Sequence, residues 1–257
     1  MQESTEKWQS ITDGVWSLHY PFTNAGMKVS TRMTVIRLAD GSLFSHSAVP
    51  LSPVQKSALD AIGPLRHIVA PSAMHHLFVG KLAKLYPQAR LYGTAGVLRK
   101  HPDQPLLEPL PADDEAPWAG ELQCIHLDGL ALLDETLWFH PASGSLIATD
   151  VLQCWQGPLS LPVRMYLGLT GGHERLTVPR TVRLLVRDKT AVRAWVQQVK
   201  NLDVQRVILL HNSVIDDQPI QRLREAQSIW DGSTTCFTEF RPRRHRPQAC
   251  WPRSCAP

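Results

Sequence analysis

The sequence contains no run of about 18 apolar residues, which excludes a helix that spans a bilayer. Its opening residues, MQESTEKWQSITDG, lack the apolar core of a signal peptide; export by that route is not expected, and a cytoplasmic location is. Cysteine is scarce. The five present, Cys124, Cys154, Cys236, Cys250 and Cys255, form no C-x-x-C pair, which removes a zinc ribbon and a dithiol redox motif. Cys124 and Cys154 sit among apolar neighbours and read as small core residues. Also missing are G-x-G-x-x-G, G-x-x-x-x-G-K-[ST], G-x-S-x-G and H-E-x-x-H. Nucleotide-phosphate cradling, the common serine-hydrolase elbow and zincin chemistry lose their usual support. Internal repeats and low-complexity linkers are absent as well.

What is present is globular. A chain 43% hydrophobic and 19% charged is too apolar for disorder along most of its length. Its 257 residues suit one large domain or two small ones. The net charge of +4 is concentrated at one end: residues 241–257, RPRRHRPQACWPRSCAP, hold five Arg and no acid. Without them 22 basic residues face 23 acidic ones. A nucleic-acid surface on the near-neutral body is therefore not expected, beyond a weak contact of the tail with an anionic polymer. The expected division is a folded domain over residues 10–232 and an Arg/Pro-rich, disordered tail over 233–257, where few apolar residues offset the entropy of ordering.

The hydrophobic period switches repeatedly between two and 3.6. Val15 to Tyr20 reads as a strand, and Met33 to Leu38 with Ser42 to Ser47 reads as a hairpin turned at Asp40-Gly41. Ser52-Pro53 opens a helix to Ile62, Ser as cap and Pro at a position with no amide to lose. HIVA (67–70) is a buried strand; Met74 to Tyr86 has helical spacing; Arg90 to Tyr92 is a strand, with a helix to Lys100. Residues 101–120 read as a loop. LQCIHL, ETLWFHP and SLIATD then return to β, with a turn at Ser143-Gly144. Residues 155–172, rich in Gly and Pro, read as irregular; 179–200 as one or two helices; VQRVILL as a buried strand; Pro219 to Trp230 as a final helix. Two β-rich blocks with helices favour an α/β sandwich of two mixed sheets flanked by helices. A doubly wound parallel sheet fits less well, because hairpins stand where it needs crossover helices.

The candidates for chemistry sit at strand ends. His75-His76 follow HIVA, Asp150 closes SLIAT and His211 closes RVILL. Imidazoles and a carboxylate meeting at one rim suit Zn²⁺, Fe or Mn²⁺. Each also has a plain reading: a strand-end His hydrogen-bonded in a loop, and an Asp accepting amides in a turn. Ser52 and Ser72 read as a helix cap and a turn residue. His46 ends a hairpin strand and reads as a surface strand His, or else approaches the same rim; His19, His126 and His140 read as structural; His173, in GGHER, is solvated or reaches a substrate. Arg32 and Arg180 pair with an anionic substrate or with ordinary acids. The tryptophans form no stripe for base stacking and read as core.

The order of elements and these residues resembles the metallo-β-lactamase-fold hydrolase superfamily, with its H-x-H-x-D-H motif, loop His, bridging Asp and last His. On this chain the motif falls on residues 71–76: Pro71 and Ala73 replace its first two His, His75 replaces its Asp, and His76 keeps its final His. The loop His falls on or near Ala131, while Asp150 and His211 match the bridging Asp and last His. The segments VWSLHYPF, RMTVIRLADGSLFSHSAVPLS, HPASGSLIATD and RVILLHNSVI are similar to an uncharacterised domain-of-unknown-function branch of that superfamily, over roughly residues 10–230. The resemblance implies an αββα sandwich. It implies that one half of a two-metal site is erased and the other keeps His75, His76, Asp150 and His211 as ligand-type residues. The implied function is a metal-dependent hydrolase with one transition metal, Zn, Fe or Mn, acting on an unknown small molecule, with Asp150 and His75 in catalytic roles. The alternative is a non-catalytic, metal-free descendant that binds a small molecule or a protein.

Overall fold

The computed structural model of the chain describes residues 6–24, 27–104 and 106–230. The Arg/Pro-rich segment 233–257 lies outside the described residues. The first half builds β1 (Gln9–Thr12), β2 (Val15–Asn24), β3 (Met27–Arg37), β4 (Leu43–His46), α1 (Pro53–Ile62), β5 (Leu65–Ala70), α2 (Val79–Leu85), β6 (Arg90–Gly93), α3 (Ala95–Lys100) and β7 (Leu107–Pro109). Its strands form a seven-stranded sheet in sequence order, antiparallel from β1 to β4 and parallel from β4 to β7. The second half builds β8 (Gln123–His126), β9 (Thr136–His140), β10 (Ser145–Ala148), α4 (Leu161–Thr170), α5 (Arg180–Leu184), α6 (Lys189–Lys200), β11 (Arg206–Leu209), β12 (Val214–Ile215) and α7 (Pro219–Gln227). Its sheet runs β12-β11-β10-β9-β8, with β10 and β11 parallel and the other pairs antiparallel. The expected sandwich of two mixed sheets flanked by helices is the architecture of this chain.

Strand alternation sorts the side chains into three layers. Ile36, Phe44, Val69, Ile147 and Ile208 point between the sheets, where Trp118, Trp138 and Tyr92 join them. Phe44 lies 4.8 Å from Trp138 and 5.0 Å from Trp118 between ring centres. Met33, Val35, Ile68 and Ala70 point the other way, under Leu59 of α1, Leu82 of α2 and Val97 of α3. Leu146, Ala148, Val207 and Leu209 lie under α6, through Val192, Trp195, Val196 and Val199, and under Leu223 and Ala226 of α7. Strands covered on both faces must be apolar at nearly every position, which is why HIVA, SLIA and RVIL are continuous rather than alternating runs.

Two local expectations are corrected. Helix α2 begins at Val79, not at Met74. Ser72 captures the chain first: its hydroxyl accepts the Met74 amide at 3.0 Å and donates to the Leu133 carbonyl at 3.2 Å, a local side-chain bond that competes with helix. Residues 155–172 are not irregular throughout, because α4 occupies Leu161–Thr170. Pro162 stands in its first turn, where a missing amide costs nothing. Val163 and Leu167 of α4 pack with Trp155 against Val29.

Candidate functional site

Three chain segments deliver side chains to one rim, each just past the C-terminal end of a strand. His75 follows β5, Asp150 follows β10 and His211 follows β11. The parallel register of β10 on β11 pairs Ala148 with Leu209, so Asp150 and His211, each two residues further, emerge side by side. His75 arrives from the other sheet through the turn that Ser72 holds. Thr136 ties that turn to the second sheet, donating to the Pro71 carbonyl from its amide at 2.8 Å and from its hydroxyl at 3.0 Å.

His75 Nε2 lies 2.9 Å from Asp150 Oδ2, and His211 Nε2 lies 3.3 Å from Asp150 Oδ1. One ligand-type atom from each of the three falls within 4.8 Å of the other two. Burial pushes the Asp150 carboxyl up, but His75 and His211 outweigh it and hold it well below the usual carboxylate range. Burial pulls His211 down, yet the hydrogen bond and charge of Asp150 win and raise it. His211 Nδ1 lies 2.6 Å from the Ser30 carbonyl, which can only accept, so Nδ1 carries the proton. A neutral His211 then aims the Nε2 lone pair at a carboxylate oxygen. That arrangement is repulsive unless a positive charge, a proton or a cation, sits between them.

The donor set fits a small divalent ion. Two ligands about 2.1 Å from a tetrahedral ion lie about 3.4 Å apart. The observed 3.3 Å between Asp150 Oδ1 and His211 matches this, while His75 faces the other oxygen, Oδ2, at 2.9 Å and has to shift to share the ion. The Ser30 carbonyl already fixes the tautomer that leaves Nε2 free, the usual outer-shell arrangement for a ligating His.

Two buried charges hold the loops that carry these residues. Glu135, 1% exposed, accepts the amide of Thr149 at 2.7 Å, of Asp150 at 3.1 Å and of Val151 at 2.9 Å. Burial, then the charge of Asp150, pushes this carboxyl up; hydrogen bonds from Thr149 and Val151 oppose the shift. Arg32, on the inner face of β3, donates to the Leu209 carbonyl at 3.1 Å, the Asn212 carbonyl at 2.8 Å and the Ser17 hydroxyl at 2.8 Å. It thus brackets His211 from both sides, and burial lowers its pKa to about 10, still charged near neutrality. Trp155 stacks on the His211 ring at 5.7 Å and 12°. Asn212, in a left-handed conformation at φ 65°, accepts the Gln156 amide at 2.9 Å and joins the His211 and Trp155 loops.

His76 does not join this cluster. Its Nδ1 lies 2.7 Å from His101 Nε2, away from Asp150, because consecutive residues in the Ser72 turn face different ways. Pro71, Ala73 and Ala131, the remaining motif positions, carry no metal-binding side chain. His46 is fully buried on the inner face of β4, and His173 is exposed. Arg180 binds the Leu169 carbonyl at 3.1 Å. The sequence offered no signal for Glu135, Ser30 or Trp155: an acid opening the strand ETLWF looks like any surface acid until its burial is known.

A cavity of about 250 Å³ opens above the three residues. Its walls include Phe22, Val29, Met74, Phe78, Val163 and Tyr166.

A fold of two helix-covered mixed sheets is that of the metallo-β-lactamases, and solved structures match it. The metallo-β-lactamase from Pontibacter korlensis superposes with a TM-score of 0.60 at 13% identity, covering 89% of this chain and 100% of that one. The mono-zinc form of the metallo-β-lactamase FIM-1 from Pseudomonas aeruginosa gives 0.57 at 16% identity, covering 89% and 97%. The metallo-β-lactamase from Erythrobacter litoralis, with β-mercaptoethanol in its active site, gives 0.60 at 13% identity, covering 89% and 99%. At these identities the likeness shows the fold. The family model Domain of unknown function (DUF4336) matches residues 12–158, more than half the chain, and the chain belongs to that family. No curated protein is significantly similar to it.

Proposed function

We propose that the chain is a metal-dependent hydrolase with a single-ion site formed by His75, Asp150 and His211. The observation that carries this reading is the convergence of two imidazoles and a carboxylate from three distant segments within 4.8 Å, with His211 locked by Ser30 in the tautomer a metal requires. A bound transition metal would supply Lewis-acid polarisation and water activation. The chain's own residues do the rest. Glu135 fixes the loop bearing Asp150, Arg32 and Ser30 fix His211, and Trp155 covers one face of its ring. Asp150 holds its negative charge against burial, so it attracts a cation and can orient a reacting water by accepting its hydrogen bond. His75, the edge residue of the set, completes the donor set where it borders the cavity. One ion rather than two follows from Pro71, Ala73 and Ala131, which cannot ligate.

The test is elemental analysis of untagged protein after supply of Zn, Fe and Mn. About one equivalent is expected for wild type and for His76→Ala, and close to none for His211→Ala. Wild-type protein without metal after all three were offered would leave the non-catalytic binding module as the better reading.

A further inference from the structure

We infer that the cleft takes an uncharged acyl compound, an ester with an aliphatic chain, whose carbonyl sits over His75, Asp150 and His211. The inference rests on the hydrolase reading and names its substrate class. It starts from the charges that face the cleft. Among the described lining residues there is no Lys and no Arg; the ionisable groups are His75, Asp150, His211 and the phenol of Tyr166. A carboxylate or phosphate on the part of the substrate that lies along the walls, away from the ion site, would lose its water with no cationic side chain to replace it. Basic residues nearby are committed elsewhere. Arg32 is spent on Leu209, Asn212 and Ser17, Lys100 donates to the Ala73 carbonyl, and Arg180 holds the Leu169 carbonyl.

The walls favour a hydrocarbon. Phe22, Val29, Phe78, Val79, Trp155 and Val163 surround the polar floor. A cavity of about 250 Å³ has room for a reacting ester group and a short run of methylenes. The remainder of a chain has somewhere to lie. Met74, Leu77 and Tyr166 line the cleft and stay exposed at 50%, 68% and 37%. α4 also exposes Leu161, Met165 and Leu169. Apolar side chains left exposed at the mouth of an apolar cleft mark a binding surface, and Met74 adapts to chains of different shape.

The chemistry balances with water alone. The acyl carbon gains the water oxygen, the acyl–oxygen bond breaks, and the departing alkoxide takes a proton, leaving a carboxylic acid and an alcohol. A proton of the water passes to the leaving oxygen, with the second carboxylate oxygen of Asp150 as the relay within reach.

The test has a binding arm and a kinetic arm, both on the full chain. In the first, on chelator-treated, metal-free protein, the neutral dye N-phenyl-1-naphthylamine occupies the cleft and is displaced by decanol, decanoate or decylammonium. Decanol is expected to displace it at about tenfold lower concentration than decanoate, and affinity should rise up to about fourfold per methylene across the alcohols. Leu77→Lys, an exposed substitution that leaves the core alone, should erase most of that preference. Equal or tighter binding of decanoate by the wild type would overturn the inference. In the second arm, zinc-loaded protein is offered 4-nitrophenyl esters from acetate to decanoate and the anionic 4-nitrophenyl succinate. kcat/KM should climb with chain length and be lowest for the succinate. A preference for decanol with no ester cleaved would keep the ligand class and remove the hydrolase reading; ester cleavage fastest on the succinate would do the reverse.

Discussion

At the scale of single residues, the site depends on buried polar groups that lie behind it. Glu135 receives three backbone amides in a place water does not reach. Removing it strands all three, and each unpaired buried donor costs about 1–3 kcal/mol. Glu135→Ala should therefore lower the unfolding free energy by about 3 kcal/mol or more, read from urea denaturation. A loss under about 1 kcal/mol would mean the 149–151 loop needs no such anchor. His46 behaves in the opposite sense. It is fully buried, neither ring nitrogen has a protein partner, and burial drives its pKa down to about 3. A folded-state value below the unfolded value of about 6.5 means that the unfolded chain binds the extra proton as the pH falls. Its contribution is complete above about pH 6.5 and is lost progressively below it, about 2 kcal/mol between pH 7 and pH 5. His46→Leu should flatten the pH dependence of stability by that amount, and an unchanged slope would show that the ring is protonated in the fold.

At the scale of elements, α1 is the clearest case of a sequence signal fulfilled. Ser52 Oγ accepts the Gln55 amide at 3.3 Å, Gln55 Oε1 accepts the Ser52 amide at 2.9 Å, and Pro53 opens the helix. Ser52→Ala should cost about 1 kcal/mol, seen as a fall of a few degrees in Tm. No change in Tm would mean that α1 is held by Leu59 and its packing alone. The strands at the site were equally legible, because a strand buried on both faces has to be continuously apolar and the polar residue ending it has to emerge at the rim. Asp150 and His211 could be placed on that ground. The choice between His75 and His76 could not. It turns on the direction of side chains in an irregular turn set by the Ser72 hydroxyl, and helical spacing from Met74 onward pointed to a helix that starts five residues later. α4 was hidden by its Pro and Gly, and with it the apolar rim of the cleft. Glu135 was hidden because burial is a property of the whole fold, not of the strand that carries the residue.

At the scale of the whole molecule, the site joins the two sheets. His75 comes from the seven-stranded sheet, Asp150 and His211 come from the five-stranded one, and Arg32 and Ser30 of β3 grip the His211 loop across the interface. Anything that binds all three residues therefore binds the folded sandwich and not the unfolded chain. A saturating ion at 100 to 1,000 times its Kd should add about 3–4 kcal/mol. The sign of its pH dependence follows from His211. Asp150 raises the affinity of this imidazole for a proton, and that proton occupies the Nε2 position an ion needs. Metal-derived stability is therefore greatest above neutrality and fades as the pH falls toward 5. The most direct measurement is a thermal melt of zinc-loaded protein with and without chelator, near pH 7.5 and near pH 5, for wild type and His211→Ala. The account requires chelator to lower the wild-type midpoint by several degrees at the higher pH, to have little effect at the lower one, and to leave His211→Ala unmoved at both. A wild-type midpoint indifferent to chelator near pH 7.5, or a His211→Ala midpoint that falls as far as the wild type's, would contradict it.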